Sequence, residues 1–314
     1  MKAPGRGNLA APKGKGGNGK RASPVPRMAS TQAPAGPLHP IPAPDFNLGV
    51  TLASGQVFHW RALGAGYAGV IGQTSIYVEQ QGDRLLTTAD PRLVARYFAL
   101  DHPLAEIYRS FPSDAAMAAA LEFCRGLRII RQPAWECLAT FITSSMKQVA
   151  HIAQISNTLR SRYGRPLAPG GPYAYPAPAR LAALREEDLR ACALGYRARN
   201  LLKTARMIAA GEVDLDALRS LPDDEARAQL CRLAGVGEKV ANCVLLFAYE
   251  RVRAFPIDVW IDRILREHYF KGRRKVTAGN LRDFSREYFG EYGGYAQQYL
   301  FHHARSARRA NKSP

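Results

Sequence analysis

No Cys-x-x-Cys pair occurs in this chain, whose five cysteines stand apart at positions 124, 137, 192, 231 and 243. That spacing argues against a zinc ribbon, an iron–sulfur cluster and a secreted disulfide framework, and fits a reducing compartment. No stretch approaches the roughly 18 apolar residues of a membrane span. The N-terminus, rich in Gly, Pro and Lys, lacks the apolar core of a signal peptide. Acidic residues are scarce too, with 26 Asp and Glu against 44 Lys and Arg for a net charge of +18. Residues 1–44 hold seven Lys/Arg and no acid, and residues 303–314 add four basic groups, which leaves +7 on the body. Basic tails are commonly just solvated, but +7 on a folded body favours a polyanion such as nucleic acid.

Two textures divide the body. Residues 1–44, with nine prolines and seven glycines, read as a disordered basic tail. From 45 to 112, short β-branched and aromatic runs broken by Gly (48–52, 57–61, 67–71, 75–78 and 84–88) predict an antiparallel sheet domain with one helix. From 113 to 302 the pattern becomes helical, with starts at Ser113-Asp and Pro133 and an apolar face at 149, 152, 155 and 159. Further helices are expected at 179–192, 197–210, 214–220, 222–233, 238–250 and 259–270, with residues 303–314 as a second basic tail. The fold class is therefore α+β, a sheet followed by a mostly helical domain.

Leu233-Ala-Gly235-Val236-Gly237-Glu-Lys239 is the most informative segment. Its glycines permit a tight turn with positive φ, and the helix N–H groups beyond it suit a phosphate. Such a helix-hairpin-helix (about 223–250) is also a common sequence-neutral DNA clamp. An ammonium at Lys239, on a helix N-terminus, is electrostatically misplaced, which favours the neutral amine that attack on a sugar carbon requires. The plainer alternative is a surface lysine on a phosphate. Asp258 follows Phe255-Pro-Ile at a helix start. It reads as an N-cap that stays ionised, a state suited to stabilising a cationic sugar.

With these segments, Ser54-Gly55-Gln56, Ile130-Arg131-Gln132, Leu194-Gly195-Tyr196-Arg197 and Tyr295-Ala-Gln297-Gln-Tyr-Leu-Phe301 stand in an order that resembles the 8-oxoguanine DNA glycosylase/AP lyase family of the helix-hairpin-helix superfamily. The match runs from about 46 to 303, and its details look like a bacterial-type member. The resemblance implies base-excision repair: Lys239 as the Schiff-base nucleophile, Asp258 stabilising the oxocarbenium-like charge, and β-elimination of the strand. It further implies that Phe301 and Cys243 sandwich a flipped 8-oxoguanine and that Gln297 reads its Watson–Crick edge. The Gly55 carbonyl would accept the hydrogen that 8-oxoguanine carries at N7 and guanine lacks. Without the resemblance, Cys243 and Phe301 read as core and Ser54-Gly55-Gln56 as a turn between strands.

Tyr196 and Arg197 match the wedge that fills the vacated stack and contacts the estranged base. Met146 stands where the eukaryotic pattern has asparagine, and His151 where it has arginine. Both substitutions predict looser opposite-base selectivity. Trp260 replaces a phosphate-contacting histidine. The carbonyls of 233–237 suit a structural monovalent cation, and no cofactor is expected in the chemistry. The expected partner is double-stranded DNA containing oxidised guanine, met by a monomer in the cytoplasm or nucleoid (the nucleus in a eukaryote). Two alternatives remain open on the residues alone: a monofunctional alkylated-base glycosylase and a noncatalytic DNA-binding protein.

Overall fold

The computed structural model describes residue 1 and residues 36–144, 148–169, 171–272 and 275–310. The N-terminal lobe is an antiparallel sheet of β1 (His39–Pro42), β2 (Arg61–Leu63), β3 (Gly66–Ile71), β4 (Thr74–Gln81) and β5 (Arg84–Thr87), ordered β1-β5-β4-β3-β2. Two helices pack into this lobe rather than the one expected, α1 (Leu48–Ala53) and α2 (Pro91–Tyr97), while α3 (Leu104–Ser110) buries Leu104 and Ile107 in the core of the helical lobe.

Three expectations are corrected here. Strand β1 lies inside the span assigned to a disordered tail. It carries Pro40 and Pro42 at the sheet edge, where a missing donor is tolerated, and it buries Ile41. Leu48–Leu52 is helical rather than extended: Asn47 Oδ1 accepts from the Val50 N–H at 2.9 Å, and Leu48, Thr51 and Leu52 are buried at helical spacing. In 57–61 only Arg61 enters a strand, and His59 bonds the Val70 carbonyl through its ring at 2.7 Å.

The rest is helical: α4 (Ala115–Cys124), α5 (Ala134–Ser144), α6 (Val149–Tyr163), α7 (Pro178–Ala182), α8 (Glu186–Leu189) and α9 (Arg197–Ala209). They are followed by α10 (Asp223–Cys231), α11 (Glu238–Tyr249), α12 (Val259–Tyr269), α13 (Ala278–Phe289) and α14 (Gly293–Ala310). The helix expected over 179–192 is split into α7, α8 and a distorted turn, and 214–220 holds only a short 3₁₀ turn at Ala217–Ser220. Helix α14 runs through most of the span taken for a C-terminal tail because its inner face, with His302 and Arg305, is buried.

Each lobe has its own core. The sheet lobe packs Phe46, Leu48, Val78, Leu85, Phe98 and Ile130; the helical lobe is centred on α5, α9, α11 and α14. The segment 128–132 joins them. Gln56 receives the Ile130 N–H at 2.8 Å and donates to the Arg128 carbonyl at 2.8 Å, while Arg131 bridges Asp101 and Glu250. No helix among the described residues is long and apolar enough to cross a membrane.

Candidate active site

Helices α10 and α11 enclose the hairpin. Gly235 adopts φ +80, and a Cβ there would lie 2.8 Å from the Asn200 side chain, so the position needs glycine on both counts. Gly237 does not share the positive φ expected of it: it is extended (φ −103, ψ −177) and caps α11. Space beside it is open, which leaves the helix N-terminus accessible. Val236 is buried and donates its N–H to the Leu233 carbonyl at 3.2 Å, closing the turn.

Lys239, in the first turn of α11, and Asp258, the N-cap of α12, line one cleft of about 1370 Å³. The ammonium of Lys239 sits 5.2 Å from the Phe141 ring centroid, a cation–π contact that steadies it over an apolar floor. Asp258 Oδ1 accepts from the Trp260 and Ile261 N–H groups at 3.0 and 2.9 Å. Burial nevertheless raises the Asp258 carboxyl above the ordinary aspartate range. It outweighs those two bonds and the nearby charge of Lys239, which all favour ionisation. Capping alone had suggested a carboxylate held firmly ionised; desolvation works against that.

Gly55 and Phe301 line the same cleft, and so do Phe58 and Trp260. Gly55 has φ +89, and a Cβ there would stand 3.3 Å from the Phe301 ring and 2.6 Å from Arg305 Nη1. Its turn joins α1 to the sheet rather than strand to strand. Cys243 lies behind Lys239 on α11; it is 3% exposed, and burial pushes its thiol up to about 11, so it is a neutral thiol at physiological pH. Gln297 is buried on α14, on the face that carries Phe301, and its Oε1 has no hydrogen-bond partner among the described residues. An orphaned buried acceptor is costly unless a ligand satisfies it.

The residues expected to fill the stack and meet the opposite base are more scattered. Ala193 at φ +63 and Gly195 at φ +60 turn the chain just before α9, leaving Tyr196 at 60% exposure. Arg197 is buried instead, with its guanidinium 4.3 Å from the Tyr196 ring centroid. His151 is exposed on α6, and Met146 lies outside the described residues. Tyr196, Arg197 and His151 do not line the cleft, and neither do Cys243 and Gln297, which are buried beside it on the helices that carry Lys239 and Phe301.

Sequence reasoning passed over Arg305, Arg308 and Gln148, all of which do line it. Arg308 stacks over Trp260 at 5.5 Å, and Gln148 is the N-cap residue of α6. The available signal for the two arginines was helical phase: 297, 301, 305 and 308 follow one face of α14. Among the described residues, no cluster of three His, Cys, Asp or Glu side chains has the arrangement of a metal site.

Comparison with known proteins agrees with this geometry. Residues 39–138 match the N-terminal domain of 8-oxoguanine DNA glycosylase, and residues 139–286 match the HhH-GPD superfamily of base excision DNA repair proteins. A probable N-glycosylase/DNA lyase of Methanothermobacter thermautotrophicus is 29% identical over 84% of this chain and 95% of its own. The N-glycosylase/DNA lyase OGG1 of Arabidopsis thaliana is 30% identical over 82% of this chain and 77% of its own. The 8-oxoguanine glycosylase/lyase of Clostridium acetobutylicum, solved with double-stranded DNA containing cytosine opposite 8-oxoguanine, superposes with a TM-score of 0.80 at 30% identity, covering 86% of this chain and 98% of that one. The two family models, which together span residues 39–286 of a chain with this sheet lobe, hairpin lysine and partly buried capping aspartate, and the relative at 30% identity therefore place this chain in the 8-oxoguanine DNA glycosylase family of the HhH-GPD superfamily.

Proposed function

We propose that this protein is a bifunctional DNA glycosylase/AP lyase that excises 8-oxoguanine from duplex DNA. The observation that carries the reading is the convergence of Lys239 and Asp258 with Gly55 and Phe301 on one cleft. A nucleoside inside a duplex is out of reach, so the base is first extruded into the cleft. Phe301 supplies a stacking face and Cys243 the opposite one, while Gln297 Oε1 awaits a donor from the base. The Gly55 carbonyl accepts the N7 hydrogen of 8-oxoguanine and faces a repelling lone pair in guanine.

Lys239 Nζ then attacks C1′. The C1′–N9 bond breaks, and its electron pair and a proton leave with the base. Asp258, as carboxylate, stabilises the cationic sugar at the transition state and takes part in the proton transfers. Loss of a proton from the ring-opened Schiff base at C2′ expels the 3′ phosphate, and water releases Lys239.

Tyr196 fills the vacated stack, with Arg197 beneath it, and the departures at Met146 and His151 loosen selection of the opposite base. The hairpin N–H groups hold a phosphate. The Gly235 and Val236 carbonyls accept no hydrogen bond among the described residues and suit a bridging monovalent cation. The protein works as a monomer where duplex DNA is, in the nucleoid or nucleus.

Borohydride trapping on duplexes with 8-oxoguanine opposite each of the four bases tests this. A covalent adduct present in the wild type and absent in Lys239→Gln is the expected result. Release of alkylated bases without any adduct would instead make it a monofunctional glycosylase, and DNA binding without base release a noncatalytic clamp.

A further inference from the structure

Consider the backbone carbonyls of the run Ala53–Gln56, which borders the cleft. The Ala53 carbonyl accepts from Arg305 Nη2, the Ser54 carbonyl from Gln298 Nε2 at 2.9 Å, and the Gln56 carbonyl from Gln132 Nε2 at 2.9 Å. All three donors come from the helical lobe or the segment leading into it, whereas the run belongs to the sheet lobe. Among the described residues no hydrogen bond reaches the Gly55 carbonyl. One acceptor is thus left open between neighbours that are all tied.

Arg305 does more than close one of these bonds. Its guanidinium lies against Gly55 on the side a Cβ would occupy, sits 5.3 Å from the Phe301 ring centroid, and contacts His302 Nδ1 at 3.2 Å. It is 6% exposed. A planar fork held on several sides at once fixes orientation in a way that a flexible ammonium does not. Arg305 therefore touches both parts of the base pocket, the Gly55 turn from one lobe and the Phe301 ring from the other.

We propose that Arg305 is a positioning residue for lesion recognition, holding the Gly55 carbonyl at the distance and angle from Phe301 that separate 8-oxoguanine from guanine. The inference rests on the proposed excision of 8-oxoguanine. A hydrogen bond that discriminates between bases is lost when its acceptor drifts, whereas attack by Lys239 on a sugar that has no base does not use that acceptor. Arg305 thus governs one half of the reaction more than the other.

The test compares single-turnover excision of 8-oxoguanine with strand cleavage at a preformed abasic site, using full-length wild type, Arg305→Met and Arg305→Lys. In Arg305→Met, excision should fall about 30-fold more than abasic cleavage, the scale of one misplaced pocket acceptor. Arg305→Lys keeps a donor for the Ala53 carbonyl and should lie between it and wild type. If Arg305→Met does not fold, the lysine variant still reports the same ratio. Equal loss of both activities, or loss of neither, overturns the proposal and leaves Arg305 a packing residue. A wild type that cleaves abasic sites but releases no 8-oxoguanine removes the underlying reading, and this inference with it.

Discussion

The two walls of the cleft are assembled differently. Lys239 and Asp258 stand at the starts of consecutive helices, α11 and α12, and each is set by its own helix N-terminus. Gly55 and Phe301 meet from different lobes, and their relation depends on side chains that cross the junction: Arg305, Gln298 and Gln132. On the proposed function, Lys239 and Asp258 form a reacting wall that is local, and Gly55 and Phe301 a reading wall that is a joint between the two lobes, so the two should fail in different ways.

Substitution on the reacting wall should have the largest effect and sharpen this contrast. Asp258→Asn keeps an oxygen for the cap but loses the charge, and base excision should drop about 10²- to 10³-fold in single-turnover assays, with DNA affinity retained. The same change should raise Tm. The folded-state carboxyl is raised above its unfolded value, so the folded protein holds its proton more tightly. Wild-type stability therefore falls as pH rises from the ordinary aspartate range through the raised one. The advantage of Asp258→Asn in thermal denaturation should be full at neutral pH and vanish in acid below the ordinary range. A Tm gap independent of pH would contradict the burial argument.

On the reading wall, Gly55→Ala meets both a positive φ and the Arg305 guanidinium. It should reduce 8-oxoguanine excision about 100-fold while changing cleavage of a preformed abasic site much less. Equal loss of both would break the division between the walls. A step smaller, Tyr196→Ala should reduce excision about tenfold with Tm unchanged, because the ring is mostly exposed in the free protein.

The smallest expected effects concern the N-terminal segment. Deleting residues 1–38 removes seven basic groups and no strand, so it should flatten the salt dependence of DNA binding and leave Tm alone. Deleting 1–44 also removes β1 and buried Ile41 and should lower Tm by several degrees. Identical Tm values for the two deletions would show that β1 contributes nothing to the sheet lobe.

This division also explains what could be read in the chain. The hairpin, Lys239 and Asp258 fall within one short stretch whose glycines and caps are local signals, and the sheet strands at 67–71, 75–78 and 84–88 stand out as short β-branched and aromatic runs broken by Gly. Gly55, Gln297 and Phe301 carried no signal of their own, since a turn, a buried amide and a core ring are each ordinary. Only the family pattern linked them. Arg305 was hidden by composition: in a run of basic residues it counted as tail charge, although helical phase places it beneath Phe301. Leu48–Leu52 looked extended because Val and Thr favour strands and Gly disfavours a helix interior, while the Asn47 cap and the buried face at 48, 51 and 52 decide for a helix. Pro40 and Pro42 argued for disorder, yet at a sheet edge they cost little.

The open carbonyl of Gly55 has a consequence for fidelity in a damaged or heated enzyme. If the lobes part slightly before the helical core melts, Lys239 and Asp258 stay in register and the judge of the base is lost. Such a molecule would still cut DNA at sites that already lack a base, while leaving damaged bases in place. The cohesion of the lobe junction would then matter to recognition as much as to survival of the fold, and the first symptom of its loss would be a fall in 8-oxoguanine excision with abasic-site cleavage retained.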